Sequence, residues 1–195
     1  MSNYLSLIFN KSLFRIFLCL IVSLSILTSL AYADRAKRPM EIYQVEEVGL
    51  EIWVEYQPAW HTDIVQNGKY YQFFAASPAN YHPPAALIYT AFKDVSARAD
   101  EMEVLTQGVV YRAAYNYGAK VEKTHPVAPR RYGELKGYEA TFQGKVEGEA
   151  VDVKIFVGHQ PGKPIVVAHA YTSAGKLHHL DEPIRRAWGN LSYLK

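Results

Sequence analysis

Hydrophobic and polar positions alternate along residues 46–56, with Val48, Leu50, Ile52, Val54 and Tyr56 on one side and Glu51, Trp53 and Glu55 on the other. A period of two predicts a half-buried strand, and Pro58 ends it. Asn67-Gly68 then lies between the stretch Trp60 to Val65 and the aromatic run Tyr70 to Ala75. That dipeptide accepts the positive φ angles of a tight turn, so the two stretches read as a hairpin. Ser77 to Pro84 contains three prolines, which remove amide donors and fix φ, so it reads as a loop. Ala86 to Phe92 resumes as a strand. From 97 to 117 the period lengthens: Met102, Leu105, Val109, Ala113 and Tyr117 recur at spacings of three and four, the stripe of an amphipathic helix. Gly118 offers it a left-handed C-terminal cap.

The remainder alternates again. Strands are expected over 119–124, 138–146, 150–157 and 165–171, separated by Pro126, Pro129, Glu147-Gly148-Glu149 and Gly158-His159-Gln160-Pro161-Gly162. Leu177, Leu180, Ile184, Ala187, Trp188 and Leu191 form a second helical stripe, with Asp181 as a candidate N-cap ahead of Pro183. Strands joined by tight turns must run antiparallel, and two amphipathic helices must bury their stripes on something. The expected class is α+β: a largely antiparallel sheet flanked by helices, an α/β/α sandwich.

Residues 1–33 break this pattern. Lys11 and Arg15 precede an apolar stretch from Ile16 to Leu30 and then Ala31-Tyr32-Ala33, the layout of a cleavable signal peptide. The apolar stretch, diluted by Ser23, Ser25, Thr28 and Ser29, falls short of the roughly 20 residues a membrane span needs. The organisation expected is therefore a signal peptide over 1–33, a flexible tail over 34–45 and a single domain over 46–195, with a periplasmic or secreted destination and no stable membrane anchor after cleavage.

Cleavage would change two counts. Lys11 and Arg15 are two of the 21 basic residues, and none of the 19 acidic ones precedes Asp34, so the remaining chain carries 19 of each. A neutral domain has no electrostatic claim on nucleic acid or an anionic membrane. The single cysteine, Cys19, also lies in the segment removed, so no disulfide and no cysteine nucleophile is expected.

Within the second half, Gly137-Tyr138-Glu139-Ala140-Thr141-Phe142 is followed by Gly144-Lys145-Val146-Glu147-Gly148, two strands, a helix and the ending Trp188-Gly189-Asn190-Leu191-Ser192-Tyr193-Leu194. This order resembles the PsbP-like α/β/α sandwich group, which includes photosystem oxygen-evolving accessory proteins and bacterial envelope proteins of the DcrB type. The resemblance extends over 46–194 by element order and 137–194 by residue pattern. It implies a central antiparallel sheet with helices on both faces, and a binding or assembly role. The group offers no catalytic motif to carry over, and the lipobox of its lipoprotein members is missing here.

The chain has seven histidines. His178-His179-Leu180-Asp181-Glu182 would bring imidazole and carboxylate to one ion on a continuous helix. Pro183 opposes that continuity, so no metal and no cofactor is expected, and His178, His179, Asp181 and Glu182 remain the alternative ligand set. His169 alternates with Val167 and Tyr171 and reads as a core or cross-strand residue. Gly-x-Ser-x-Gly, His-Glu-x-x-His and a glycine-rich phosphate loop are all missing. Trp53, Trp60, Tyr81 and His82 stand on the polar side of a strand, near turns or in the proline-rich loop. Exposed together, they would form a contact surface for another envelope or secreted protein. The expected function is an exported non-enzymatic binding or assembly protein of the envelope. The alternatives are an immunity protein that neutralises a toxin in the periplasm and a metal-dependent hydrolase using histidine ligands.

Overall fold

The computed structural model describes residues 39–195 apart from 57, 68–69, 93–94 and 121–123; the expected signal peptide lies outside the described residues. In chain order the elements are β1 (Met40–Val45), β2 (Leu50–Glu55), β3 (His61–Asn67), β4 (Tyr70–Ala76), β5 (Ala85–Phe92), α1 (Met102–Asn116), β6 (Ala128–Tyr132), β7 (Leu135–Val146), β8 (Glu149–His159), β9 (Ile165–Ser173), a 3-10 turn (Leu177–Leu180), α2 (Asp181–Gly189) and β10 (Ser192–Tyr193).

Seven strands form one sheet in the order β3-β4-β5-β9-β8-β7-β6, and β1-β2-β10 form a smaller one. Every neighbouring pair is antiparallel. After β5 the chain crosses one face as α1 and enters the far edge as β6. It then walks back through β7 and β8 until β9 closes against β5. A strand inserted in the middle of a covered sheet is apolar on both sides, and Ile165, Val166, Val167 and Ala168 are all buried.

The sheet has a core on each face. Met102, Val110, Ala113 and Ala114 of α1 pack on Ala140, Phe142, Val153, Ile155 and Val157 of β7 and β8. On the other face α2 and the small sheet cover Phe73, Leu87, Tyr89, Phe156 and Ala168. The molecule is therefore an α+β fold whose mainly antiparallel sheet is flanked by helices. Gly118 caps α1 with φ 61°, as its position predicts, and Lys145 donates to the Tyr117 carbonyl at 2.7 Å, fastening the helix end to β7. Gly137 faces Gly158 across β7 and β8, and a Cβ there would lie 1.8 Å from the Val157 oxygen, so only glycine fits that register.

Three expectations are corrected. Residues 40–45 of the supposed tail are a strand paired residue for residue with β2; Tyr43 of β1 packs on Phe73 with ring centroids 5.3 Å apart. Of the strand expected over 119–124, residues 121–123 lie outside the described residues and the flanking positions join no strand. In its place β6 pairs with β7 from Ala128; as an edge strand it tolerates Pro129, whose missing amide needs no ladder partner. Asp181 does not cap α2. The helix starts at that residue with no side-chain cap, and the carboxylate meets Lys154 Nζ at 3.5 Å. Pro183 is accommodated in the first turn, where its amide would have no acceptor within the helix.

Candidate functional site

The aromatic surface expected from Trp53, Trp60, Tyr81 and His82 does not assemble. Trp60 is 5% and Tyr81 2% exposed, and their rings meet edge to face at 5.1 Å inside the core. The proline-rich loop folds inward on Tyr81, so that of these four residues His82 alone is exposed. Trp53 is half-buried on the small sheet, donating to Glu51 Oε1 at 3.2 Å. Of the alternative metal set, His178 and His179 sit side by side on the 3-10 turn with ring centroids 4.1 Å apart. Asp181 is engaged by Lys154, and Glu182 is gripped by Arg185 at 2.6 and 2.9 Å. That guanidinium holds the Glu182 carboxyl below its ordinary range. Among the described residues no group of three or more His, Cys, Asp and Glu converges on one point.

Three depressions among the described residues compete for the role of site. One of about 810 Å³ follows the β6–β7 edge and is rich in cations. Its three arginines are already engaged: Arg130 lies 3.6 Å from Glu139, Arg131 donates to the Gly133 carbonyl at 2.9 Å, and Arg185 holds Glu182. Arg130 and Arg131 also alternate to opposite faces of the strand, so the depression wraps an edge and does not enclose a ligand. A second, of about 280 Å³, contains His125 and Asp152. Its polar groups satisfy one another, His125 with Thr141 at 3.1 Å and Asp152 with Gln143 at 3.0 Å.

The third is different in kind. Because α1 lies over β7 and β8, the same face of β4, β5 and β9 is left beside it as a groove of about 810 Å³, within the usual size of small-molecule sites. Its wall is one stripe of α1: Leu105, Gly108, Val109, Arg112, Ala113 and Asn116, at helical spacings. Its floor is Tyr70 and Gln72 of β4, Thr90 and Phe92 of β5, and Val167 and His169 of β9. Cross-strand register sets Gln72, Thr90 and Val167 in one row, with Gln72 Nε2 donating to Thr90 Oγ1 at 3.0 Å.

The groove is graded from end to end. Tyr117, just past α1, packs on Tyr171 at 6.1 Å between centroids, so the C-terminal end of the helix overlies the end of β9 that carries His169. Arg112, Asn116 and His169 therefore gather at one end. At the other are Phe92, beside Ile165, and Tyr70, whose ring meets Phe92 edge to face at 4.6 Å. Among the described residues the side chains of Arg112, Asn116 and His169 have no hydrogen-bond or ion-pair partner. Burial without a charged partner lowers the His169 pKa from 6.5 to about 4, so the ring is neutral at pH 7 and offers one donor and one acceptor.

Gly108 fits this picture and no packing requirement. A Cβ there would meet nothing within 4 Å, although glycine inside a helix is less stable than alanine by ~1 kcal/mol. Gly108→Ala is therefore expected to raise stability by about 0.5–1 kcal/mol, readable as a higher midpoint in urea; a fall would mean that the position is constrained.

Sequence reasoning passed over this site, since His169 was the one floor residue it considered. The signals available were polar residues at inward-facing strand positions, Gln72 and Thr90, and a glycine within the helical stripe. None of them is specific until the register places them together.

No family model matches the chain, and no curated protein matches it. Among solved structures it is similar to a protein of Bacteroides thetaiotaomicron VPI-5482, at 10% identity and a TM-score of 0.53. That match covers 80% of this chain and 48% of the other, so the chain spans about half the length of that neighbour. It is also similar to PA94 of Pseudomonas aeruginosa, a protein of unknown function and candidate regulator, at 14% identity, a TM-score of 0.45 and coverage of 80% and 98%. The first likeness supports the α+β architecture and nothing finer. Among the described residues no helix is long and apolar enough to cross a membrane.

Proposed function

We propose that this chain is an exported, non-enzymatic binding protein of the cell envelope and that the groove beside α1 holds its ligand. The observation that carries the reading is the groove itself: a concave, largely apolar surface at one end of which the side chains of Arg112, Asn116 and His169 have no partner among the described residues, which is how small-molecule sites are built. Among the described residues its lining contains no nucleophile set against a base; Thr90 is the sole aliphatic hydroxyl among them and it accepts from Gln72. The export pattern of residues 1–33 and the resemblance to PsbP-like accessory proteins agree with a binding role in the envelope.

The test is uptake of a neutral apolar fluorophore, N-phenyl-1-naphthylamine, by the purified protein. One-to-one binding with enhanced emission is expected, together with at least tenfold weaker binding in Gly108→Leu, whose side chain would fill the open space beside the helix. Binding unchanged in that variant would place the probe elsewhere and remove the groove from the reading.

A further inference from the structure

From the arrangement of charge and apolar surface along the groove, we infer that its ligand is an amphipathic monocarboxylate, its hydrocarbon body on Tyr70, Phe92 and Leu105 and its carboxylate on Arg112. This rests on the reading of the groove as the binding site and adds the chemistry of the occupant.

Three observations carry it. Charge comes first. Among the described residues Arg112 is the one charged residue lining the groove, and no Asp or Glu lines it. Among the described residues Arg112 has no counter-ion, whereas Arg98, Arg130 and Arg185 each have one. A guanidinium beside apolar surface, with no carboxylate of its own, complements one negative charge, and its planar fork matches the two oxygens of a carboxylate. A dianionic phosphate would be left half-compensated.

Polarity along the groove comes second. Asn116 follows Arg112 at i+4, so both project from the same helix face, and the register places His169 beneath that end. Asn116 can donate to a carboxylate oxygen, and a neutral imidazole can do the same without adding charge. Burial, which keeps that ring neutral at pH 7, supports this role. The opposite end presents two aromatic rings and Leu105, surfaces suited to methylene or ring contacts, and among the described residues no charged side chain lines it.

Third is the shape of the wall. Gly108 leaves space open at the middle of the helical stripe, between Leu105 at the apolar end and Arg112 at the polar end. A continuous hydrocarbon chain can therefore pass from one to the other. An aromatic dication or a polar sugar would find neither the charge nor the hydrogen-bond density it needs.

The experiment displaces N-phenyl-1-naphthylamine with decanoate and, in parallel, with 1-decanol, which has the same chain and no charge; direct calorimetry accompanies both. Decanoate is expected to compete at least tenfold better than decanol in the parent protein. Arg112→Gln should erase that preference while leaving decanol unchanged, and Arg112→Lys should retain part of it. Because Arg112 is exposed, these variants should keep the parent circular-dichroism spectrum. Equal competition by acid and alcohol, or a preference that survives in Arg112→Gln, overturns the carboxylate assignment but leaves the groove as a binding site. A change in oligomeric state on Arg112→Gln, without a change in ligand preference, overturns it by assigning the groove to a second copy of the chain. Failure of the fluorophore and of both competitors to bind, by fluorescence and by calorimetry, overturns this inference and the proposed function together.

Discussion

Trp188→Ala is expected to lower the free energy of unfolding by about 3–5 kcal/mol, the range for deleting a large aromatic side chain from a packed core. Trp188 is 0% exposed. Its indole meets Tyr132 edge to face at 5.1 Å and stacks on Phe156 at 6.1 Å, so one ring joins α2 to β6 and β8. The same helix packs on Leu50 and Ile52 of β2 within this core, which makes Trp188 a shared support for both sheets. The indole nitrogen approaches the Tyr89 hydroxyl without reaching hydrogen-bond geometry, so its N–H contributes little beyond packing. Trp188→Phe should accordingly cost far less than the alanine variant, with ring volume accounting for the difference. Urea unfolding followed by circular dichroism measures both. Since small domains hold only ~5–15 kcal/mol in all, the alanine variant should show a large drop in midpoint at an unchanged slope. A loss below ~1 kcal/mol for Trp188→Ala would show that α2 is not a structural support for the sheets.

What the sequence discloses and what it hides separate along a physical line. β2, β4 and α1 are legible as elements because each has one face in a core, but the buried positions are read only in part: α1 buries Thr106 and Val110 where the stripe predicts Leu105 and Val109, and β2 turns Glu55 inward and leaves Tyr56 exposed. The β3–β4 hairpin is legible from Asn67-Gly68, since a tight turn restricts which residues can occupy it. β1 is hidden because its burial is uneven: Ile42 is 49% exposed while Val45 is buried, leaving no clean alternation to read. β6 is hidden by Pro129, which is a strand breaker everywhere except at an edge, and only the completed sheet shows that β6 is an edge. β10, two residues long, exists because β2 has a free side to pair with.

The same distinction applies to the site. Trp60 and Tyr81 are alike in sequence to exposed aromatics beside turns, yet they close against each other in the core once the loop folds over. The groove depends on α1 covering β7 and β8 but not β4 and β5, an offset set by where β9 inserts, and no local pattern encodes that. His169 shows the limit in a single residue. Its alternation with Val167 and Tyr171 places it on an inward face, but only the position of the helix decides whether that face is sealed or open.

Lowering the pH from about 7 to 4 is expected to destabilise the protein through His169 by on the order of 2–3 kcal/mol. In the folded state burial depresses the imidazole from its ordinary 6.5 to about 4, whereas the unfolded chain titrates at the ordinary value. Between those two values the unfolded state binds the extra proton, so stability rises with pH. The contribution is complete above about 6.5 and is lost as the pH falls through this window towards 4. Around the ring stand Ile88 and Ile155 across the neighbouring strands, Tyr171 on its own strand, and Arg112 from α1. Among the described residues no carboxylate lines that end of the groove to stabilise the imidazolium. His169→Phe, which keeps an aromatic ring and removes the titration, should flatten the difference in stability between pH 7 and pH 4 relative to the parent, with carboxylates common to both proteins cancelling in the comparison. Arg112→Gln should leave the slope intact, because the depression comes from burial and not from the neighbouring charge. An equal slope in His169→Phe and the parent would mean that the imidazole is solvated in the folded protein, and the groove would then lose its buried polar floor. A slope that disappears in Arg112→Gln would instead make the guanidinium the cause, placing Arg112 against His169 in the unliganded protein and not free to receive a carboxylate.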